Sequence, residues 1–398
     1  MTDDVTASVP DDQPPEPPKR TGWWSVRRER RAAEERARID AAAAAEERAR
    51  AEVAAAEDRV STDAVAATAV RSVTPATPLT PAARRRLRRR RRGRIACLMG
   101  MLLGATGLVA GRLGVLWIAF DVFAQFTLHF AVILIAFLIG YLMPRARVLT
   151  AITLIVLALV AIGVWPIWSS AQTRGIDRPT ANERVVRLMS FNTRLKNHNA
   201  DAVADEVLRA DPDIAVLIEF GEEKRGALDK LRARYPYQAD CLAKENCNMA
   251  IIAKAPLADV ETRGPWEGPP LVKASFGPEY GNLTVVGIHT LRFPHQASHW
   301  RQIGALALYM EALSGAKVVA GDFNATPYSR ILSTFSDRSH LDRLTNLPSW
   351  PSQLQLPQLA IDHVFAGRGV RAIEAPRIGR NAGSDHYPVI VGLAVADR

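Results

Sequence analysis

The stretch Val318-Val319-Ala320-Gly321-Asp322-Phe323-Asn324 places an acid and an amide directly after a short apolar run. Further along the chain, Gly383-Ser384-Asp385-His386-Tyr387-Pro388-Val389 places an Asp-His pair just before another apolar run. Charges beside buried strands are costly unless a site uses them. A turn with one hydrogen-bonded histidine explains a single Asp-His pair equally well, but two such segments in one domain favour a catalytic cluster.

Other polar residues occupy similar positions beside predicted strands. Short apolar runs that are bounded by polar or turn-forming residues are typical of buried strands. If the ends of these strands meet at one rim of a domain, their polar side chains converge in one pocket. The predicted strands, with the polar residues at their ends, are 185–191 with Asn192, 214–218 with Glu219, 283–288 with His289, 317–320 with Asp322 and Asn324, 361–365 with Asp362, and 389–395 preceded by Asp385 and His386.

Helices are predicted between these strands. Residues 200–210 read as a helix, residues 300–313 carry apolar side chains at helical spacing, and residues 249–253 read as another buried strand. Strands and helices that alternate over residues 185–398 predict an α/β domain. It would either have two layers or be a sandwich of two sheets flanked by helices.

The predicted pocket collects several carboxylates. Like charges that lie close together repel strongly in a low dielectric unless a cation neutralises them. Hard oxygen ligands of this kind suit Mg²⁺, with Mn²⁺ as the alternative. Zinc is disfavoured, because the sequence has no HExxH motif.

The basic surplus lies outside the part of the chain that carries the predicted pocket. Residues 1–184 carry 27 Lys and Arg against 18 Asp and Glu, a net charge of +9, whereas residues 185–398 carry 24 against 23, a net charge of +1. A nucleic-acid footprint is expected on the binding domain itself. The high isoelectric point is therefore weak support for nucleic-acid binding.

Residues 1–94 are predicted to form a cytoplasmic region without a core of its own. Residues 1–20 are acidic and proline-rich, which predicts disorder. The Ala-, Glu- and Arg-rich residues 23–59 predict a solvated helix; a coiled coil is the alternative, although its apolar positions would hold mostly Ala. Residues 60–83 read as a linker, and the arginine-rich residues 84–94 follow it.

Three apolar segments follow the arginine-rich run. Alone, such a run could bind nucleic acid, but beside an apolar segment it is typical of a juxtamembrane anchor. A span requires about 20 mostly apolar residues, so residues 95–169 are predicted to form three transmembrane helices. The segments are 95–119, interrupted by Arg112; 123–143, with Asp121 just before it and His129 inside it; and 148–169.

The basic residues predict the orientation of these spans. Arg145 and Arg147 lie between the second and third segments, so a cytoplasmic location for them and for the arginine-rich run satisfies the positive-inside rule. Three crossings then place the linker at 170–184 and the domain at 185–398 outside the cell membrane. No cleavable signal peptide is predicted, since the first apolar segment begins far from the first residue.

The chain has three cysteines. Cys97 lies in an apolar segment and is expected to be a lipid-facing or packing residue. Cys241 and Cys247 lie in one polar loop; in a cytosolic protein they would be incidental, whereas in an oxidising compartment they are expected to form a disulfide. The predicted topology favours the disulfide.

Six short motifs resemble, in order, the signature of the endonuclease/exonuclease/phosphatase superfamily, which includes DNase I-like nucleases, inositol polyphosphate 5-phosphatases and neutral sphingomyelinases. The resemblance covers residues 185–396 and implies a four-layer α/β sandwich that hydrolyses phosphoesters with a metal ion. The motifs are Ser190-Phe191-Asn192, Leu217-Ile218-Glu219, Gly287-Ile288-His289-Thr290, Gly321-Asp322-Phe323-Asn324, Ile361-Asp362-His363-Val364 and Ser384-Asp385-His386-Tyr387-Pro388.

The resemblance also implies roles for individual residues. Glu219 would bind Mg²⁺, with Asn192 beside it and Asp385 nearby in the metal or base network. Asp322 would orient or deprotonate the attacking water, and Asn324 would hold that water or the phosphate. These roles fit in-line attack, which requires a positioned base and a cation on the non-bridging oxygens.

The histidines of the motifs would act on the phosphoryl group. His386, oriented by Asp362, and His289 would stabilise the charge that builds on the phosphoryl oxygens. Arg292 and His295 are two further candidates for substrate contacts, although a surface loop explains them equally well. His198, His299 and His340 are expected to be surface histidines, and Asn248 stands where relatives often carry glycine.

Three functions are compatible with these observations. The favoured one is a membrane-anchored, extracytoplasmic, Mg²⁺-dependent phosphoesterase that acts on a lipid head group or an envelope phosphodiester. The alternative within the same fold is a nuclease for extracellular DNA or RNA, but the nearly neutral domain leaves little room for a basic DNA-binding loop. A non-catalytic membrane scaffold is the alternative of another class; it is disfavoured because every expected catalytic position is filled. No partner protein is predicted.

Overall fold

The structure is a computed structural model. It describes helical positions between residues 30 and 56, residues 80–143, a few helical positions between 151 and 158, and residues 178–353 and 355–397. The chain divides into two compact units, residues 1–84 and 85–398. Residues 40–56 are helical and exposed, as expected of a solvated helix. The segment 1–20 lies outside the described residues.

The apolar region contains a long helix followed by a broken one. Helix α1 (Pro81–Arg112) begins inside the segment that was predicted to be a linker and continues through the arginine-rich run. Helix α2 (Asp121–Ala124) and helix α3 (Thr127–Leu142) follow it. A Cβ on Gly104 would lie 2.7 Å from the Leu134 backbone nitrogen, so a glycine there lets α1 and α3 pack closely.

The prediction of three transmembrane helices is not confirmed. Among the described residues, one helix is long and apolar enough to cross a membrane, and a second qualifies only if the pair 118–124 and 127–142, bent by 58°, counts as one span. The predicted third span, 148–169, lies outside the described residues apart from a few helical positions. The second helix is broken where two polar residues, Asp121 and Gln125, are buried against the domain that follows.

Residues 183–397 form two β-sheets that pack face to face, with helices on both outer faces. The elements are β1 (Glu183–Asn192), α4 (Ala200–Ala210), β2 (Ile214–Ile218), α5 (Arg225–Leu231), β3 (Tyr237–Asp240), β4 (Met249–Ala253), β5 (Leu257–Arg263), β6 (Leu271–Phe276), β7 (Thr284–His289), α6 (Gln296–Ala312), β8 (Lys317–Asp322), α7 (Arg330–Ser339), β9 (Asp342–Arg343), β10 (Asp362–Ala366), β11 (Val370–Ala372), β12 (Arg377–Ile378) and β13 (Val389–Ala396). One sheet has the order β11-β13-β1-β2-β4-β3, with β12 beside β13, and the other has the order β5-β6-β7-β8-β10-β9.

Three apolar clusters hold these layers together. In β2, Ile214 and Val216 point into the cluster between the sheets, whereas Ala215 and Leu217 point into the cluster under α4 and α5. This alternation follows from the two-residue period of a strand, and each buried Val, Leu or Ile contributes about 1.5 to 3 kcal/mol. A third cluster lies between the other sheet and helices α6 and α7. The arrangement helix, sheet, sheet, helix agrees with the expected four-layer α/β sandwich.

Candidate active site

The ends of the central strands of the second sheet bring three site residues into one row. Strands β7 and β8 are parallel, and His289 pairs with Asp322 in their register. Strand β10 is antiparallel to β8, and Asp362 pairs with Asp322 on the other side. Gly321 permits this close packing, because a Cβ there would lie 2.0 Å from the carbonyl oxygen of Ile288. The sequence-predicted strand ends therefore do converge.

The first sheet supplies Asn192 and Glu219 from the facing side. Strands β1 and β2 are parallel, and they end together at Asn192 and Ile218, so that Glu219 follows directly. Glu219 and Asn324 have φ angles of 50° and 47°. This left-handed backbone costs roughly 1 to 2 kcal/mol for a residue other than glycine. Such strain concentrates at functional sites, where it directs side chains.

Asp322 lies at the centre of the cluster. The Asn192 Nδ2 donates to Asp322 Oδ2 at 3.0 Å and to Glu219 Oε1 at 3.1 Å, and so joins the two carboxylates. The Nε2 atoms of His289 and His386 each lie 3.9 Å from Asp322 Oδ2, and His289 Nε2 lies 3.6 Å from Glu219 Oε1. Two carboxylates and two imidazoles therefore surround one small volume.

Asp362 orients His386, as the resemblance implies. The His386 Nδ1 lies 2.8 Å from Asp362 Oδ2, which leaves its Nε2 directed toward Asp322. The Ser349 hydroxyl donates to the same Asp362 oxygen at 2.5 Å. Asp362 is fully buried and His386 is 4% exposed, so this pair is rigidly held. Ser349 was not predicted, since nothing in its sequence context distinguishes it from other serines.

Asn324 is fixed on two sides beside Asp322. Its backbone N–H donates to Asp322 Oδ1 at 2.8 Å, and its Nδ2 donates to the Thr290 carbonyl oxygen at 2.9 Å. Thr290 also contacts the ring of His299, with 3.0 Å between Oγ1 and Nε2. The expectation that His299 lies at the surface was wrong: it is fully buried, and it supports the loop that follows His289.

Burial and neighbouring charges shift the pKa values of the cluster. Burial raises the pKa of Asp322 to about 8, and the Asp362 carboxylate adds to this shift. Burial alone would lower the pKa of His386, but Asp362 and Asp322 raise it to about 9. Burial opposes ionisation of Glu219, yet His289 lowers the pKa of this acid below its usual value. In the protein alone, burial and the neighbouring carboxylate thus oppose the ionisation of Asp322, the residue expected to act as the base.

The cluster fits a divalent cation. Glu219, His289 and Asp322 place one ligand atom each within 4.8 Å of one another, and Asp322, Asp362 and His386 do the same. The second oxygen of Asp362, Oδ1, is buried and has no hydrogen-bond partner among the described residues. Excess carboxylate charge with an unsatisfied oxygen is what a cation would neutralise.

Not every predicted site residue joins this cluster. Asp385 lies beside it, where its Oδ2 is 3.9 Å from the guanidinium of Arg194. Asn192 acts here as a donor to carboxylates, and its own oxygen accepts from the Arg194 N–H at 2.9 Å. Arg292 and His295 are exposed in the loop after His289, as are His198 and His340 elsewhere.

Three further features support the loops around the cluster. Lys224 is fully buried, and its Nζ donates to the carbonyl oxygens of Arg194, Leu195 and Asn197. Asn248 has a φ of 49°, a conformation that asparagine tolerates, which explains why it can stand where relatives often carry glycine. Cys241 and Cys247 are joined by a disulfide in the loop between β3 and β4, at this same edge of the first sheet.

Comparisons with known proteins agree with this geometry. Residues 189–386, about half of the chain, match the Endonuclease/Exonuclease/phosphatase family. Enzymes of this family are phosphoric ester hydrolases that depend on divalent metal ions, and the match assigns residues 189–386 to a phosphoric ester hydrolase domain. No curated protein matches the sequence.

Three solved structures illustrate the similarity of the fold. Sphingomyelinase C from Streptomyces griseocarneus is 16% identical, with a TM-score of 0.41, over 52% of this chain and 99% of that one. A beta toxin variant from Staphylococcus aureus with bound magnesium ions is 14% identical, with a TM-score of 0.41, over 53% of this chain and 99% of that one. The catalytic domain of human Nocturnin is 14% identical, with a TM-score of 0.41, over 55% of this chain and 97% of that one. At these values the likeness says nothing about the substrate of this chain.

Proposed function

We propose that the protein is a membrane-anchored, extracytoplasmic, Mg²⁺-dependent phosphoesterase. The observation that carries this proposal is the row formed by Asp322, its register neighbours His289 and Asp362, and the facing Glu219. Together these residues provide a base, an oriented imidazole and a cation site within one volume. A non-catalytic scaffold would have no use for buried carboxylates that repel one another.

The residues around Asp322 divide the work of hydrolysis. Asp322 takes the proton of the attacking water, and Asn324, held by the Thr290 carbonyl, positions that water or the phosphate. His386 carries its proton on Nε2, because Asp362 accepts from Nδ1 and raises the pKa of the ring to about 9. This imidazolium and His289 stabilise the charge that builds on the phosphoryl oxygens.

Glu219 is the residue that would hold Mg²⁺, with Mn²⁺ as the alternative, and the Asp322 carboxylate lies beside that position. The Asn192 Nδ2 lies 3.1 Å from Glu219 Oε1 and 3.0 Å from Asp322 Oδ2, and so fixes the separation of the two carboxylates. A bound Mg²⁺ would neutralise these carboxylates, lower the pKa of Asp322 and polarise the phosphoester. Asp385 remains a candidate for the outer part of this network through Arg194.

The position of the catalytic domain along α1 supports an extracytoplasmic location. The arginine-rich run ends at Arg94, and α1 ends at Arg112, about 27 Å further along the helix axis. That distance is close to the thickness of the hydrocarbon core, about 30 Å. The domain contacts the chain from Gly114 onward, at the end of the helix that is far from the arginines. If α1 crosses the membrane, the arginines and the domain lie on opposite sides of it.

The activity is tested with the full chain purified in detergent micelles with Mg²⁺. The substrates are bis-p-nitrophenyl phosphate, a phospholipid in mixed micelles and plasmid DNA. We expect hydrolysis of the phosphodiester probe that is abolished by EDTA and by Asp322→Asn. Cleavage of DNA in preference to the other two would support the nuclease alternative, and inactivity on all three would contradict the proposal.

The topology is tested with reporter fusions after Ser170, which precedes the catalytic domain. Alkaline phosphatase, which folds only outside the cytoplasm, is expected to be active there, and a cytoplasmic reporter at the same position is expected to be inactive. The opposite pattern would place the domain in the cytoplasm. In unreduced, denatured protein, Cys241 and Cys247 are expected to resist maleimide, and their labelling would contradict the disulfide.

A further inference from the structure

The turn between the two apolar helices contacts the catalytic domain at its active-site edge. We call residues 113–129 the anchor turn. Its contacts fall on three loops, which follow β7, follow β8 and precede β10. These strands carry His289, Asp322 and Asp362 at the same edge. The anchor turn is therefore attached to the rim of the catalytic site.

Two buried side chains of the anchor turn bind the loop after Asn324. Gln125 Oε1 accepts from the Thr326 N–H at 2.6 Å, and Gln125 is 2% exposed. Asp121 Oδ1 accepts from the Arg330 N–H at 2.7 Å, and its Oδ2 accepts from the Ser329 hydroxyl. Thr326 lies two residues after Asn324, so the anchor turn supplies acceptors to the segment that carries this catalytic side chain.

The remaining contacts surround this polar network. Phe126 meets Phe293, in the loop after His289, with ring centroids 5.9 Å apart at 82°. Ile118 packs against the apolar cluster under α6 and α7. The Arg330 guanidinium donates to the carbonyl oxygens of Gly114 and Val115, at 3.0 and 2.6 Å. Both loops that leave the catalytic row are thus held from the anchor side.

The domain itself leaves this loop dependent on the anchor turn. Within the domain, Ala325 accepts from His363 Nε2, and Asn324 is fixed by Asp322 and Thr290. The backbone N–H of Thr326, by contrast, has its acceptor in the anchor turn. Asn324 also has a φ of 47°, a strained conformation that persists only where its surroundings enforce it.

We propose that Gln125 and Asp121 are positioning residues for the phosphoesterase, acting through Thr326 to Arg330 on Asn324. Attachment to the anchor turn then sets the catalytic rate, and the domain works at full rate only where it is docked on its own membrane helices. This inference rests on the proposed function, because it assigns Asn324 to phosphoester hydrolysis. It predicts that loss of the acceptor at position 125 lowers kcat and leaves KM almost unchanged.

The test uses the full chain in detergent with Mg²⁺ and bis-p-nitrophenyl phosphate. Gln125→Leu keeps the volume of the side chain and removes the acceptor, whereas Gln125→Glu keeps an acceptor of the same length. We expect Gln125→Leu to lower kcat about tenfold with KM within about twofold, and Gln125→Glu to retain most of the rate. His129→Leu is the matched control, because His129 forms a hydrogen bond with Gln358 at the same interface, with 2.8 Å between Nε2 and Oε1, and its other ring nitrogen has no hydrogen-bond partner among the described residues.

The outcomes separate the two levels of the proposal. A wild-type kcat in Gln125→Leu overturns the positioning role, and so does an equal loss in His129→Leu, which would indicate general support of the interface. If Gln125→Leu does not fold, the test is repeated with Asp121→Asn and Asp121→Ala. We expect a loss of kcat in Asp121→Ala alone, and equal rates in the two variants would overturn the positioning role. A wild-type chain that hydrolyses no phosphoester instead refutes the proposed function, whatever the variants do.

Discussion

The carboxylates at the two edges of the sandwich have different kinds of partner. At the edge where β2 begins, Asp211 pairs with Arg234 at 2.9 Å, and Lys254 lies 3.0 Å from Asp211 and 3.2 Å from Asp213. At the edge where β2 ends, the ion-pair partners of Glu219, Asp322 and Asp362 among the described residues are histidines. One edge pairs its carboxylates with Arg and Lys, and the other pairs them with histidines.

This difference distinguishes the edge that carries the candidate active site. Burial, together with the neighbouring Asp362 carboxylate, raises the pKa of Asp322, whereas the hydrogen bond from Arg234 lowers the pKa of Asp211. Near this edge, Lys224 donates to carbonyl oxygens and Arg194 faces Asp385, while Arg292 is exposed in the loop after His289. Under the proposed function, Mg²⁺ would add positive charge to the cluster beside that of His386.

The largest expected effect separates the two edges by catalysis. Asp322→Asn is expected to lower kcat at least about a hundredfold, because a positioned general base is lost. Asp211→Asn, the matched change at the other edge, is expected to leave kcat within about twofold. Steady-state rates of the full chain with Mg²⁺ measure both, and equal effects of the two changes would remove the distinction between the edges.

A smaller effect concerns stability with and without metal. Mg²⁺ at about a hundred times its Kd is expected to stabilise the wild-type chain by about 2.7 kcal/mol, because it binds the folded cluster alone. In EDTA, Asp322→Asn is expected to be at least as stable as the wild type, since it removes an acid whose ionisation the buried cluster opposes. Thermal unfolding in the two buffers checks this, and a wild type that Mg²⁺ does not stabilise would argue against a metal site.

The smallest effect concerns the edge where β2 begins and its dependence on pH. The hydrogen bond from Arg234 is the main reason why the pKa of Asp211 falls to about 2. A lowered pKa stabilises the fold above the ordinary value of 3.8, and that contribution disappears as the pH falls from 3.8 to 2. Arg234→Ala is expected to cost less than about 1 kcal/mol at pH 7, because the pair is largely exposed.

The unfolding temperature of each variant, measured against pH, provides the test and its control. The difference in unfolding temperature between Arg234→Ala and the wild type is expected to shrink as the pH falls from 3.8 to 2. Arg232→Ala, which breaks a more exposed pair with Asp229, is expected to show a smaller difference at every pH. A difference for Arg234→Ala that does not change with pH would separate its cause from the ionisation of Asp211.

The strands that carry the site could be predicted from sequence, because their cores are continuous apolar runs. The predicted strands 214–218 and 249–253 and the helix 200–210 agree with β2, β4 and α4 to the residue. Strand β5 was not predicted, since its few apolar residues are interrupted by polar ones and form no long apolar run. Helix α7 was missed for a related reason: it is short and rich in polar residues.

The attachment of the anchor turn could not be predicted, because it depends on contacts that are distant in sequence. Asp121 and Ser329 lie 208 residues apart, and no local pattern links them. Asp121 and His129 stood out in the sequence only as polar residues at an apolar segment. His299 was misjudged for the same reason, since a histidine on a polar helix start gives no sign of the buried Thr290 that it contacts.

The dependence of rate on Mg²⁺ in the wild type, Glu219→Gln and Asp322→Asn tests the central claim most directly. Glu219 is half-buried at the mouth of the cluster, whereas Asp322 lies at its centre. Our account predicts that Glu219→Gln requires at least about tenfold more Mg²⁺ for half-maximal rate and recovers activity at high concentration. Asp322→Asn is expected to remain at least about a hundredfold slower at every concentration. If both variants keep near-wild-type turnover throughout, the carboxylates at this edge are neither a metal site nor a catalytic one.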